Sequence, residues 1–255
     1  AKLIDPALYK SGWTNDDIKR EQPAGTIEIL PNGKAKRTSG FADYQLETMR
    51  IKTSLSSQPV ALAVIEAKAE NLPATHGLQQ AKKYASRLNV PFVFSTNGHQ
   101  FVEYDNFSGI TKSPQPLSDF PSPETLRIRY EKLKGFSLDD DLAKPLVTKY
   151  SKGEEGRRYY QDAAIRAVFE KIATGEKRAL LSLATGAGKT FIAVNLLKRI
   201  ADAGQLKRAL FVCDRDELRS QGLGAFQNEF GSDAAAASTN NPELNARVVV
   251  ATYQT

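Results

Sequence analysis

The stretch Leu180–Leu196, LLSLATGAGKTFIAVNL, decides how this 255-residue chain is read. An apolar run with the look of a buried strand leads into a glycine-rich turn, and Lys189 and Thr190 then open an apolar helix. Glycine-containing turns let successive backbone N–H groups converge on an anion, and a helix N-terminus adds positive potential. Thr185, Gly186, Ala187 and Gly188 would cradle nucleotide phosphates in this order. Lys189 would reach the β and γ phosphates, and the Thr190 hydroxyl would ligate magnesium. The longer form of the pattern has a glycine five residues before Gly188, where this chain has Leu183; the T-G-x-G-K-T core is intact. ATP and Mg2+ are the expected cofactors.

Around this unit, Arg157 to Ile172 has helical amphipathicity, and LKRALFVCDRDEL and ARVVVATYQT read as two further strands. Strand–helix alternation of this kind predicts a parallel α/β sheet. Residues 156–255 are therefore expected to form a RecA-like P-loop lobe, cut short, with the Ala-rich stretch Ala234 to Asn241 as a loop. Phe136 to Glu155 is charged and loosely patterned, which predicts a linker over 136–155.

Residues 1–135 read as a separate mixed α/β domain. Thr14 to Arg20 has a capping threonine and acids in its first turn, predicting a short helix. Thr26 to Leu30 alternates, and Pro31-Asn32-Gly33 turns it into a second alternating run reaching about Thr48, a hairpin. Val60 to Ala67 is almost continuously apolar, as in a central strand covered on both faces. A helix from about Thr75 to Leu88 follows, then PFVFST and HQFVEYD as strands around Asn97-Gly98. Lys112 to Pro123 carries four prolines, and Glu124 to Leu133 reads as a helix.

Composition sets limits. The chain is 41% hydrophobic and 25% charged, ordinary for a globular protein, and no run approaches the roughly 18 apolar residues of a membrane span. The N-terminal stretch lacks a signal-peptide core, and the lone Cys213 sits in an apolar run, so a cytoplasmic location with no membrane partner is expected. The net charge of +6 permits an anionic partner such as nucleic acid. His76 and His99 have no cysteine or acid at metal-ligand spacing, and Trp13 reads as core.

The front domain carries a second constellation. Glu66 and Lys68 close the apolar central strand and point to one face, because side chains alternate. A neighbouring strand would bring the Asp43 carboxylate beside them. Two carboxylates there hold magnesium, which polarises a phosphodiester and lowers the pKa of a bound water. Lys68 would orient that water or stabilise developing charge. Gln80 and Tyr84, spaced i, i+4, share one face of the next helix. Lys82, Lys83 and Arg87 either face DNA or form a solvated surface; Arg215 and Arg219 are equally open.

Taken together, GFADYQL, ALAVIEAK and GLQQAKKYA resemble the PD-(D/E)xK nuclease domain at the front of restriction (R) subunits of type I restriction-modification enzymes. That family follows its E-x-K with a Q-x-x-x-Y helix, matched by Gln80 and Tyr84. RRYYQDAAI resembles its R-x-x-Q helix, in which a glutamine reads adenine, matched by Arg158 and Gln161. LSLATGAGKT, LFVCDRDEL and VVVATYQT resemble its successive motor motifs. The resemblance spans about residues 40 to 255 and implies the fold: a mixed-sheet nuclease domain, then a RecA-like parallel lobe. It also implies Asp43, Glu66, Lys68, Gln80 and Tyr84 as nuclease residues, with Asp43 and Glu66 as magnesium ligands.

The implied activity is an ATP-dependent, DNA-translocating endonuclease that cuts double-stranded DNA away from its recognition site. The implied partners are methyltransferase (M) and specificity (S) subunits. The family's next element, a D-E-x-H motif, would follow Thr255, so this chain is expected to bind ATP without hydrolysing it efficiently. An acid near the N-terminal helix often joins the site; Glu21 is the nearest candidate, and a solvated surface charge is the other reading of it. Two alternatives stay open: a stand-alone nuclease-helicase of repair or defence, and a translocase whose front domain is an inactive DNA-binding module.

Overall fold

The computed structural model describes residues 2–29, 35–38, 40–48, 58–106, 108–149, 158–238, 240, 243 and 245–254. The chain opens with helix α1 (Ile4–Lys10), strand β1 (Ile18–Pro23), the hairpin pair β2 (Thr26–Ile29) and β3 (Ala35–Thr38), then β4 (Phe41–Thr48) and β5 (Val60–Ala67). Helix α2 (Leu78–Leu88) leads to β6 (Phe92–Thr96), β7 (Gln100–Asp105) and the two-residue β8 (Gln115–Pro116). Helices α3 (Pro123–Lys134), α4 (Lys144–Val147), α5 (Tyr159–Ala173) and α6 (Lys189–Asp202) follow. The last elements are β9 (Ala209–Cys213), α7 (Asp216–Phe230), β10 (Ala234–Ala236) and β11 (Val248–Thr252).

Six strands form a mixed sheet in the order β1-β4-β5-β6-β7-β8. β5 and β6 run parallel, as a crossover through α2 requires, and the other pairs are antiparallel. The sheet is buried on both faces. Ala81, Tyr84, Ala85 and Leu88 of α2 pack with Val64 and Val93 on one side. Ile65, Phe94 and Phe101 meet Leu126, Tyr130 and Phe120 on the other. Trp13 is buried as expected and donates Nε1–H to the Pro121 carbonyl at 2.9 Å. A second sheet, β10-β11-β9, is wholly parallel and packs on α6 and α7. Cys213 is buried at the end of β9.

Four expectations are corrected. The Thr14 backbone N–H and hydroxyl both donate to Asp17 Oδ2, at 3.0 and 2.6 Å, but they close only the 3-10 turn Asn15–Asp17. From Ile18 the chain extends along β4, because strand pairing and burial of Ile18 outweigh a local helix signal. The hairpin is a separate two-stranded sheet, β2 with β3, and β4 belongs to the large sheet between β1 and β5. The Pro31-Asn32-Gly33 turn lies outside the described residues. The Ala-rich loop contains β10, whose small side chains pair in parallel with Val248–Val250.

The fourth correction concerns the run before the P-loop, which has no ladder and is not a strand. Leu180 is 92% exposed, while Leu181 and Leu183 pack against the main core. A parallel strand needs a hydrogen-bonded neighbour, and among the described residues β9 pairs only with β11, leaving its other edge and Leu210 open.

The segment read as a loose linker is packed where it is described. Phe136, Leu138, Ala143, Leu146 and Val147 join the same cluster as Ile165 and Phe169 of α5 and Ile192 of α6. Residues 150–157 lie outside the described part. The helix expected from Arg157 starts at Tyr159 and is bonded to the front part of the chain. Its Tyr159 hydroxyl donates to the Gly25 carbonyl, and its Arg166 donates to the Leu88 and Asn89 carbonyls that end α2. Its buried Glu170 accepts from the Tyr130 hydroxyl at 2.8 Å and from Lys134 Nζ at 2.7 Å. Burial and the Glu170 carboxylate push the Tyr130 phenol well above its ordinary range, so it stays a donor.

Replacing Tyr130, which is fully buried, by phenylalanine leaves Glu170 short of one partner. Tyr130→Phe is expected to cost about 1–3 kcal/mol in urea denaturation with the native circular dichroism unchanged. An unchanged midpoint would mean that this bond does not hold α3 to α5.

Candidate functional site

β4 and β5 pair antiparallel with Tyr44 opposite Ile65, which sets Asp43 and Glu66 side by side one step further along. Asp43 Oδ2 accepts the Ala67 backbone N–H at 2.7 Å, anchoring that carboxylate to the end of β5. Glu66 is 3% exposed. Its Oε1 accepts from Lys68 Nζ at 2.6 Å, and Lys68 also donates to Gln80 Oε1 at 3.0 Å. Gln80 Nε2 in turn donates to the Tyr84 hydroxyl at 2.9 Å. The five residues singled out in the sequence thus form one connected end of the sheet, with α2 laid across it.

The helix is held close by glycines. A side-chain carbon on Gly77 would stand 2.7 Å from Ser95 Oγ, 2.8 Å from Glu66 Cγ and 3.0 Å from Lys68 Cε. One on Gly40 would meet the Tyr84 hydroxyl at 3.1 Å. Neither Gly77 nor Ser95 stands out in the sequence; the available signal is Ser95 directly after the apolar run PFVF.

The electrostatics are those of a desolvated acid. Burial pushes the Glu66 carboxyl up, the Lys68 hydrogen bond and charge work against this, and the Asp43 charge adds to the rise. Glu66 Oε2 is buried and has no hydrogen-bond partner. An unpaired carboxylate oxygen beside a second carboxylate suits a divalent cation: Asp43 and Glu66 would hold one, and the donor set is hard oxygen, as magnesium prefers. Glu21 does not complete the set. It is exposed on β1 with φ of 51°, and no group of three or more acids, histidines and cysteines at ion-binding distance exists among the described residues.

Other candidates fall elsewhere. Lys82 Nζ lies 3.4 Å from the centre of the Tyr104 ring, Arg87 donates to the Ala24 carbonyl at 2.5 Å, and Lys83 is exposed. Arg219 donates to the Ala237 carbonyl at 3.2 Å, and Arg215 stands 3.7 Å from Asp214. His76 is exposed, and exposed His99 lies 3.4 Å from Glu70.

The second constellation is the glycine turn. Gly186 and Gly188 have φ of 77° and 85°, values that favour glycine, and Gly188 caps α6 so that Lys189 and Thr190 open the helix. Lys189 Nζ donates to the Leu183 and Ala184 carbonyls, each at 3.2 Å. Buried Gln161 has both ends of its amide engaged. Oε1 accepts the Arg158 N–H at 3.1 Å, closing the start of α5, and Nε2 donates to the Ala187 carbonyl at 3.1 Å inside the turn. Arg158 Nη1 donates to the Tyr160 hydroxyl at 2.8 Å, and both residues line a cavity of about 440 Å³ between α5 and the open ends of β1, β4 and β5.

A mixed sheet ending in paired carboxylates and a lysine, whose core takes in Ile192 of the helix after the glycine turn, together with a parallel sheet that has its own core, defines the class of α/β protein. Comparison with known proteins narrows it. The chain is a homologue of the endonuclease subunits of type I restriction enzymes. It is 33% identical over 262 residues to the EcoAI endonuclease subunit of Escherichia coli, covering 99% of this chain and 31% of that protein. It is 27% identical over 317 residues to the EcoKI endonuclease subunit of E. coli K12, covering 99% of this chain and 26% of that one. The chain therefore spans about a third or less of these relatives.

A fragment structure of an HsdR subunit of a type I restriction enzyme from Vibrio vulnificus superposes with a TM-score of 0.71. That match has 30% identity and covers 98% of this chain and 45% of the other. The family model described as the res subunit of type III restriction enzymes matches residues 155–255, the part with the P-loop. No helix among the described residues is long and apolar enough to cross a membrane.

Because the raised Glu66 pKa means that the folded chain holds this proton more tightly than the unfolded one, Glu66 favours folding most below its ordinary 4.5 and loses that contribution as pH rises through the raised value. Glu66→Gln, which does not titrate, is expected to gain stability relative to wild type as pH rises from below 4.5 to neutrality, measured by thermal unfolding in a metal chelator. The opposite trend would show that Lys68 outweighs burial.

Proposed function

We propose that this chain is the nuclease and first motor portion of a type I restriction endonuclease subunit, with the nuclease domain over 1–135, a connector over 136–155 and the P-loop lobe over 156–255. The observation that supports this most is the connected set Asp43, Glu66, Lys68, Gln80 and Tyr84, built into the same packed body as the glycine turn. The relatives are endonuclease subunits of type I restriction enzymes, and the resemblance to that family implies double-stranded DNA as the substrate and methyltransferase and specificity subunits as the partners.

Magnesium at Asp43 and Glu66 would polarise the scissile phosphate and lower the pKa of a water there. The chain's own residues do the positioning. Lys68 is held from both sides by Glu66 and Gln80, so its ammonium is fixed where it stabilises charge on the phosphate oxygens. Tyr84 holds Gln80, and the Ala67 N–H keeps Asp43 turned toward the strand end. At the other site the backbone from Thr185 to Gly188 and the start of α6 would take the ATP phosphates. Lys189 would exchange its two carbonyl contacts for the β and γ phosphates, and Thr190 would face the magnesium. Arg158 and Gln161 would serve the nucleotide, and the Gln161 bond to the Ala187 carbonyl inside the turn supports this.

The test uses the full-length subunit with its partner subunits, Mg2+, ATP and a plasmid carrying a recognition site. Glu66→Ala is expected to lower cleavage by about 100-fold or more while sparing ATP turnover, and Lys189→Ala to lower both. Cleavage by wild type without ATP or partners would overturn the coupling, and full cleavage by Glu66→Ala would overturn the nuclease site.

A further inference from the structure

Two buried polar atoms at the sheet end have no hydrogen-bond partner, and they sit on neighbouring strands in register. Ser95 on β6 pairs in parallel with Glu66 on β5, so both side chains rise from the same face. Ser95 is 0% exposed, and its Oγ is unpartnered, as is Glu66 Oε2. Both lie against the space that Gly77 leaves, since a carbon there would touch Ser95 Oγ and Glu66 Cγ together. An unpaired hydroxyl in such a place costs stability, and an alanine would fill the same position without that cost. The two orphans are chemically complementary: a hydroxyl donates, and an ionised carboxylate only accepts.

We propose that Ser95 is a positioning residue for Glu66, donating its hydroxyl to Oε2 directly or through one water when the carboxylate is ionised. Lys68 already holds Oε1. With Ser95 on Oε2 the carboxylate is clamped at both oxygens, and its remaining lone pairs face Asp43, where the divalent ion would sit. Partners of this kind fix a ligand's orientation and raise its affinity for the ion. Gly77 is part of the device, because any larger residue would fill the space in which the hydroxyl and the carboxylate meet. The inference rests on the ion site proposed above.

The experiment titrates Mn2+ and Mg2+ into the 255-residue chain by calorimetry, beside thermal unfolding of the metal-free protein, for wild type, Ser95→Ala, Ser95→Cys and Glu66→Ala. Ser95→Ala is expected to be at least as stable as wild type without metal, since it loses an unpaired hydroxyl, yet to bind Mn2+ about tenfold more weakly. Ser95→Cys, similar in size and a weak donor, should fall between the two. If Ser95→Ala binds Mn2+ within a factor of about two of wild type while Glu66→Ala does not bind, Ser95 is structural and the proposal fails. If wild type binds no better than Glu66→Ala, the ion site itself is wrong and the role of Ser95 falls with it.

Discussion

A carboxylate buried at the end of an apolar strand is the constraint on which the front half of this molecule depends. Glu66 is out of water, beside a second acid, and an isolated ionised carboxylate in such a place is costly. The surrounding structure answers that cost locally. β4 brings Asp43 into register but ties it down through the Ala67 N–H, α2 brings Gln80 to share Lys68, and Gly77 and Gly40 let the helix and its approach come close enough. Each of these is a packing arrangement that a simple structural strand would not need. The compensation stops one oxygen short, at Glu66 Oε2, which is buried without a hydrogen-bond partner.

The same constraint explains why the site is positioned by regular elements rather than by loops. Parallel pairing of β5 with β6 forces a crossover, the crossover is α2, and its first turns must pass over the carboxyl end of β5. Ligand sites in open sheets containing parallel strands gather at those ends. Gln80 and Tyr84 share a helix face, so one hydrogen bond between them stiffens the arm that holds Lys68.

Much of this was legible in the sequence, because the decisive signals were local. The apolar run Val60–Ala67, the strand pair PFVFST and HQFVEYD, and the α2 periodicity are read from alternation and 3.6-residue spacing, and the fold kept them. What was not legible was set by neighbours. β1 is polar because it is an edge strand, so its sequence shows a capping threonine and charges and no alternation. β10 is three alanines, which become a strand only because Val248–Val250 offers a ladder. The run before the P-loop shows the reverse: LLSLA has strand composition, but with no paired neighbour among the described residues it stays outside both sheets. At the sheet end, Asp43 lies on β4 and not on the hairpin, with which β4 runs together in sequence, and the β4–β5 register sets it beside Glu66. Ser95 was invisible because its meaning lies in register with a residue 29 positions away.

α5 bonds to the glycine turn through Gln161, to the Gly25 carbonyl through Tyr159, to the end of α2 through Arg166 and to Tyr130 of α3 through Glu170, so a single 15-residue helix joins the turn to the elements packed around the mixed sheet. Its Arg166 holds the carbonyl end of the same α2 whose other end carries Gln80. The Gly188 φ of 85° and the 2.5 Å that would separate a side-chain carbon there from Gln161 Nε2 show that the turn is fitted closely to this helix. Packed interiors transmit small displacements because they have little free volume to absorb them. A shift of the turn that broke the Gln161–Ala187 bond would therefore act on a helix that also bonds to Gly25, to α3 and to the end of α2, the helix whose Gln80 is one of the two partners of Lys68.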